Sequence, residues 1–177
     1  ESEKADAGEV LVSAGGGAVG GDLLRTSLAA RPLTRLRDRP WRLVTGTNLP
    51  EAEVAALKAT AAPGVVVERF RPDLARLFAS CAVSVSQGGY NTVMELIAAR
   101  ARAVVVPFAA PGETEQVERA RRLAARGLIA LVEDAADDPA VLAEAIDRTA
   151  QGPRPPANAI DLAGAAATAR VIAERVG

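Results

Sequence analysis

Hydrophobic positions along the chain follow two alternating rhythms. Short β-branched runs bounded by Gly, Pro or polar clusters alternate with longer Ala-, Leu- and Arg-rich segments whose apolar positions recur at helical spacing. The short runs predict strands at Glu9 to Ser13, Trp41 to Thr45, Val65 to Phe70, Ala82 to Ser86, Ala103 to Val106 and Leu128 to Val132. The periodic segments predict helices at Asp22 to Ala30, Glu51 to Ala61, Pro72 to Ser80, Asn91 to Ala99, Glu113 to Arg126 and Pro139 to Ala150. Regular strand–helix alternation describes an α/β domain: a Rossmann-like six-stranded parallel sheet with helices on both faces.

Helix boundaries carry their own signals. Pro50 precedes Glu51 and Glu53, Pro72 is followed by Asp73, and Asp138 stands as an N-cap before Pro139. Gly127 closes an Arg-rich last turn, where cations complement the carbonyl end of the helix. Residues 9–151 form the domain on this reading, after a start (1–8) that is either disordered or foreign to the natural chain. Gly152-Pro153-Arg154-Pro155-Pro156 is the one strong linker signal, and Asn158 to Arg175 reads as an Ala-rich helix packing on the domain or on a partner. With Glu1-Ser2-Glu3-Lys4 at its head, the chain reads as a fragment of a longer protein.

Composition narrows the chemistry. At 177 residues, 49% hydrophobic and 24% charged, the chain is in the ordinary globular class and large enough for one substantial core. It contains no His, which removes Ser-His-Asp and Cys-His arrangements and every His-bearing zinc site. Cys81 is the sole cysteine, so an intrachain disulfide is ruled out and a reducing, cytoplasmic setting is permitted. A net charge of −1, with 21 basic and 22 acidic residues dispersed and only 3% aromatics, argues against nucleic acid or an anionic membrane as partner. No apolar stretch approaches transmembrane length, and no signal peptide is visible.

Three loops could carry chemistry. Gly15-Gly16-Gly17-Ala18-Val19-Gly20 joins the first strand to the first helix; it could bring backbone amides against a phosphate or serve only as a tight turn. Its Gly15-x-Gly17-x-x-Gly20 spacing formally matches a dinucleotide fingerprint, but the acidic residue required after the second strand is replaced by Thr45-Gly46-Thr47-Asn48. Ser86-Gln87-Gly88-Gly89-Tyr90-Asn91-Thr92 makes a second glycine turn after the fourth strand, with Thr92 and Glu95 three apart on one helix face. Glu95 could accept hydrogen bonds from vicinal hydroxyls or merely favour the helix dipole. The third loop runs from Pro107-Phe108 to Glu113-Thr114-Glu115-Gln116, where an acid beside an amide suits sugar hydroxyls, or is a plain acidic first turn.

Together the three loops resemble the C-terminal, donor-binding half of GT-B glycosyltransferases of the family 28 kind, the group that includes the N-acetylglucosaminyltransferase of peptidoglycan lipid intermediates. The matching features are Gly88-Gly89, Thr92 to Glu95, Val106-Pro107-Phe108 and Glu115-Gln116. The resemblance implies one half of a GT-B fold that binds a UDP-sugar. Gly16, Gly17, Gly88, Gly89 and Tyr90, with Asn91 and Thr92, would lie by the diphosphate; Glu95 would hold the ribose. Backbone groups around Phe70 and Arg71 would read the nucleobase, and Glu115 and Gln116 would face the sugar. It further implies inverting, metal-independent transfer of a hexose or N-acetylhexosamine without a cofactor, consistent with the lack of an Asp-x-Asp motif.

The acceptor pocket and catalytic base would then belong to a missing N-terminal half, which would also supply any membrane association, and this piece alone would bind donor but barely transfer it. Three departures stand out: Gly15-Gly16-Gly17 replaces the family's Gly-Gly-Ser, Arg100-Ala101-Arg102 its Gly-x-Pro, and Tyr90 a small residue. Rival readings are a nucleotide-sugar hydrolase or 2-epimerase on the same scaffold, a donor-binding subunit needing a separate acceptor-binding chain, and an NAD-dependent oxidoreductase domain.

Overall fold

The computed structural model describes residues 8–15, 20–108, 114–133 and 137–157. Its elements are β1 (Val10–Ser13), α1 (Gly21–Ala30), β2 (Trp41–Val44), α2 (Glu51–Thr60), β3 (Val65–Glu68), α3 (Leu74–Ser80), β4 (Val83–Ser86), α4 (Tyr90–Ala98), β5 (Ala103–Val105), α5 (Glu115–Ala125), β6 (Ala130–Leu131) and α6 (Pro139–Gln151). All six predicted strands and the six described helices appear, with a short 3-10 turn at Arg31–Leu33 in addition. The expected terminal helix at Asn158 to Arg175 and the chain start lie outside the described residues.

The strands are parallel in the order β3-β2-β1-β4-β5-β6. Side chains alternate across the pleat, so each strand feeds two cores. Val10, Val12, Trp41, Leu43, Val83 and Val85 point to the layer of α1, α2 and α6, where they meet Leu24, Val54, Leu142 and Ile146. Leu11, Val44 and Val105 point to the layer of α3, α4 and α5, against Phe78, Leu96 and Leu123. Ser84 and Ser86 alternate with Val83 and Val85; they are fully buried and join hydroxyl to hydroxyl at 2.9 Å.

Two helix ends follow the sequence and one start departs from it. Asp138 caps α6 by accepting the Ala140 N–H at 2.8 Å. Gly127, at φ 68°, ends α5: its N–H donates to the Ala124 carbonyl and that of Leu128 to Leu123, a Schellman pair. By contrast, α3 starts at Leu74 rather than at Pro72, and the Asp73 side chain makes no cap bond. That carboxylate is engaged by Arg71, whose guanidinium donates to both of its oxygens at 2.8 Å.

After α6 the chain is held by arginines. Arg102 Nε donates to the Gly152 carbonyl at 2.7 Å, and Arg100 Nε to that of Pro155 at 2.8 Å. Arg154 in return donates to the carbonyls of Cys81 and Arg100 at 3.1 and 3.3 Å. Two of the residues that depart from the family's Gly-x-Pro therefore serve to bind this segment.

Candidate functional site

The strand order reverses between β1 and β4, and in open parallel sheets ligands bind beyond the carboxyl ends of the strands at such a point. Both glycine turns rise there. Ser13 and Ser86, the last residues of the two strands, are register partners, and the Gln87 N–H donates to the Ser13 carbonyl at 3.3 Å. Gly15 takes φ 72°, and Gly20 sits so close to β1 that a Cβ on it would fall 2.1 Å from the Ala14 methyl. Both therefore have a backbone reason to be glycine. Gly16 and Gly17, the diphosphate candidates of this loop, lie outside the described residues.

Helices α1 and α4 have Gly20 and Gly89 as their N-caps, residues without a side chain to cap the first turn. The helix dipole adds partial positive charge at both starts. Tyr90, Asn91 and Thr92 form the first turn of α4, which starts one residue before the Asn91 expected from the sequence. A Cβ on Gly89 would meet nothing within 4 Å, whereas Gly88 is packed under Pro107. So Gly89 presents open backbone, and Gly88 is where the β4 and β5 loops meet.

Gln116, one residue into α5, faces that contact. A Cβ on Gly88 would lie 3.5 Å from Gln116 Oε1, and this oxygen is buried with no hydrogen-bond partner among the described residues. A buried unsatisfied carbonyl costs about 1–3 kcal/mol, which a ligand's hydroxyl would recover. Glu115, beside it, is ion-paired to Arg119 one turn along α5, and the Arg119 guanidinium lies over the Tyr90 ring at 5.1 Å from its centroid. The structure therefore brings the diphosphate and sugar candidates into one cluster. Arg119 was not anticipated, although its spacing of four from Glu115 and three from Gln116 places all three on one face of a helix.

Glu95 is exposed in the second turn of α4, beyond the first turn where a carboxylate gains most from the dipole. Helix polarity thus offers no account of it. Phe70 and Arg71 follow β3, two strands from β1 in the sheet, but lead into α3, which packs on α4 and brings them to the same side. Phe70 is 66% exposed. The Arg71 side chain is committed to Asp73 and holds that carboxyl below its usual range by hydrogen bonding.

Two grooves of about 360 and 370 Å³ open at the opposite edge of the sheet, lined among others by Arg31 and Thr60 in one and Arg35 and Asp147 in the other. Neither touches a glycine turn, and both lie at the amino ends of strands, where this fold does not bind its ligands. No helix among the described residues is long and apolar enough to cross a membrane.

The strand order and the helices on both faces define a doubly wound, Rossmann-like α/β domain. Residues 11–176 match the model of the glycosyltransferase family 28 C-terminal domain, and the chain belongs to that family. Among solved structures it is similar to CalG4, the calicheamicin glycosyltransferase, at 23% identity and TM-score 0.63, covering 83% of this chain and 34% of that one. It is similar to MurG of Acinetobacter baumannii at 22% identity and TM-score 0.61, over 77% of this chain and 39% of that one. A third, Os79 from O. sativa in complex with UDP, gives 19% identity and TM-score 0.62, over 84% and 33%. The chain thus spans 33 to 39% of the length of these three and has the fold of one half of a GT-B enzyme. No curated protein matches it.

Proposed function

We propose that this chain is the donor-binding domain of an inverting, metal-independent glycosyltransferase that takes a UDP-sugar and transfers a hexose or N-acetylhexosamine. The observation that carries this reading is the meeting of Gly88 with the buried Gln116 Oε1, which has no hydrogen-bond partner among the described residues, over the reversal in strand order. Family membership and the UDP bound to Os79 support it. The diphosphate would lie across the amides of the Gly88-Gly89 turn and the start of α4, with Glu95 accepting from the ribose hydroxyls. Phe70 and Arg71 would contribute backbone groups to the base, while Glu115 and Gln116 would bind the sugar. Charge developing on the departing diphosphate would meet amides and helix dipoles already oriented toward it, which costs no reorganisation during the reaction. The acceptor and catalytic base would belong to an N-terminal half, and the enzyme would act in the cytoplasm.

Calorimetric titration of the chain with UDP, dTDP, GDP and NAD at matched salt tests the reading. Saturable UDP binding is expected, with Glu95→Ala weakening it by about 1–3 kcal/mol through loss of charge-assisted hydrogen bonds. Equal affinity in the variant would remove Glu95 from the site, and binding of NAD alone would overturn the glycosyltransferase reading.

A further inference from the structure

We infer that Arg119, seated on the Tyr90 ring, is a phosphate-binding cation of the donor site that exchanges Glu115 for the terminal phosphate of the nucleoside diphosphate. This rests on the UDP-sugar reading above. The argument begins with placement: Gln116 faces Gly88, and Arg119, one turn further along the same face of α5, faces Tyr90 at the first residue of α4. The guanidinium therefore stands beside the helix start whose amides would receive the diphosphate.

Its environment suits the task. The Arg119 side chain is only 22% exposed, pairs with Glu115 and carries its charge over the face of the Tyr90 ring. The ring's negative face attracts the cation there, and a fork of N–H donors matches a phosphate as well as a carboxylate. Glu115, by contrast, is 84% exposed and loses little when released to solvent or to a sugar hydroxyl. Tyr90 supplies the platform, which gives a physical reason for an aromatic residue at a position where the resemblance predicts a small one.

The experiment compares UDP, UMP and uridine by calorimetry on the 177-residue chain and its variants. Arg119→Ala is expected to lower UDP affinity roughly ten- to a hundredfold while leaving uridine within about twofold, because only the diphosphate reaches the guanidinium. Arg119→Gln, which keeps the side chain's bulk without its charge, should do the same and guards against a folding defect in the alanine variant. Tyr90→Ala should weaken UDP but not uridine. An unchanged ratio of UDP to uridine affinity in both Arg119 variants overturns the inference, as does an equal loss for the two ligands. If the unmodified chain binds none of the three, the donor-domain reading fails and this inference with it; UDP binding that is sensitive to Glu95→Ala but indifferent to Arg119 sinks this inference alone.

Discussion

At the end of α4 the backbone passes through the left-handed region at Arg100, φ 53°, so that the Arg100 N–H reaches the Ile97 carbonyl and the Ala101 N–H that of Leu96. This is the same closure that Gly127 makes for α5, but with a Cβ in a conformation that costs an L-residue about 1–2 kcal/mol. Bonding of the Arg100 guanidinium to the Pro155 carbonyl is what the side chain offers in return. Strain and clasp are separable: Arg100→Ala and Arg100→Gly both lose the clasp, but only the alanine keeps the strained Cβ. Urea unfolding should find the glycine variant more stable than the alanine variant by about 1 kcal/mol. Equal midpoints would mean that the left-handed turn stores no strain.

Between α3 and β4 the structure builds a junction whose pH response follows from burial. Cys81 ends α3: its N–H donates to the Leu77 carbonyl, its thiol to that of Phe78, and its own carbonyl accepts from Arg154. Burial pushes the thiol up to about 11, against the opposing pull of Arg154 and Arg102 and with a small contribution from Glu9. A thiol that stays neutral in the folded chain but ionises in the unfolded one favours unfolding at high pH. Its contribution is therefore intact below the unfolded value near 9 and is lost as pH rises toward 11, amounting to about 2–3 kcal/mol at most. Denaturant midpoints measured from pH 8 to 11 should fall more steeply in the native sequence than in Cys81→Ala; parallel curves would dismiss the effect. The elements flanking this junction were legible in the sequence because β-branched runs and helical periods are local signals. The start of α3 was not, because Asp73 is an N-cap by type whose carboxylate is taken by Arg71. The bonds from Arg100, Arg102 and Arg154 were hidden too, since they join residues up to 73 positions apart. In the crevice the glycines, Glu95 and Gln116 could be read as motifs, whereas the meeting of Gln116 with Gly88 and of Arg119 with Tyr90 required the packing of α5 against the start of α4.

At the scale of the whole molecule, one sheet shared by two cores couples the helices on its faces. Trp41, the sole tryptophan, is fully buried in the layer of α1, α2 and α6, with its indole N–H donating to the Leu36 carbonyl at 3.0 Å. It lies at the amino end of β2, paired with Val10 and Val65, at the opposite edge from the crevice. Its fluorescence therefore reports unfolding without contact with a ligand. Far-UV circular dichroism also senses α3, α4 and α5 in the other layer. Because β1, β4 and β5 place alternate side chains in both cores, the two signals should follow one transition. A ligand that binds only the folded chain adds RT ln(1 + [L]/Kd), so UDP at a hundred times its Kd should raise the unfolding free energy by about 2.7 kcal/mol in both signals alike. With Glu95→Ala, the same UDP concentration should give a markedly smaller rise. If UDP moved the dichroism transition but left Trp41 fluorescence in place, the two layers would be unfolding independently, and the crevice would belong to the stability of α3, α4 and α5 alone.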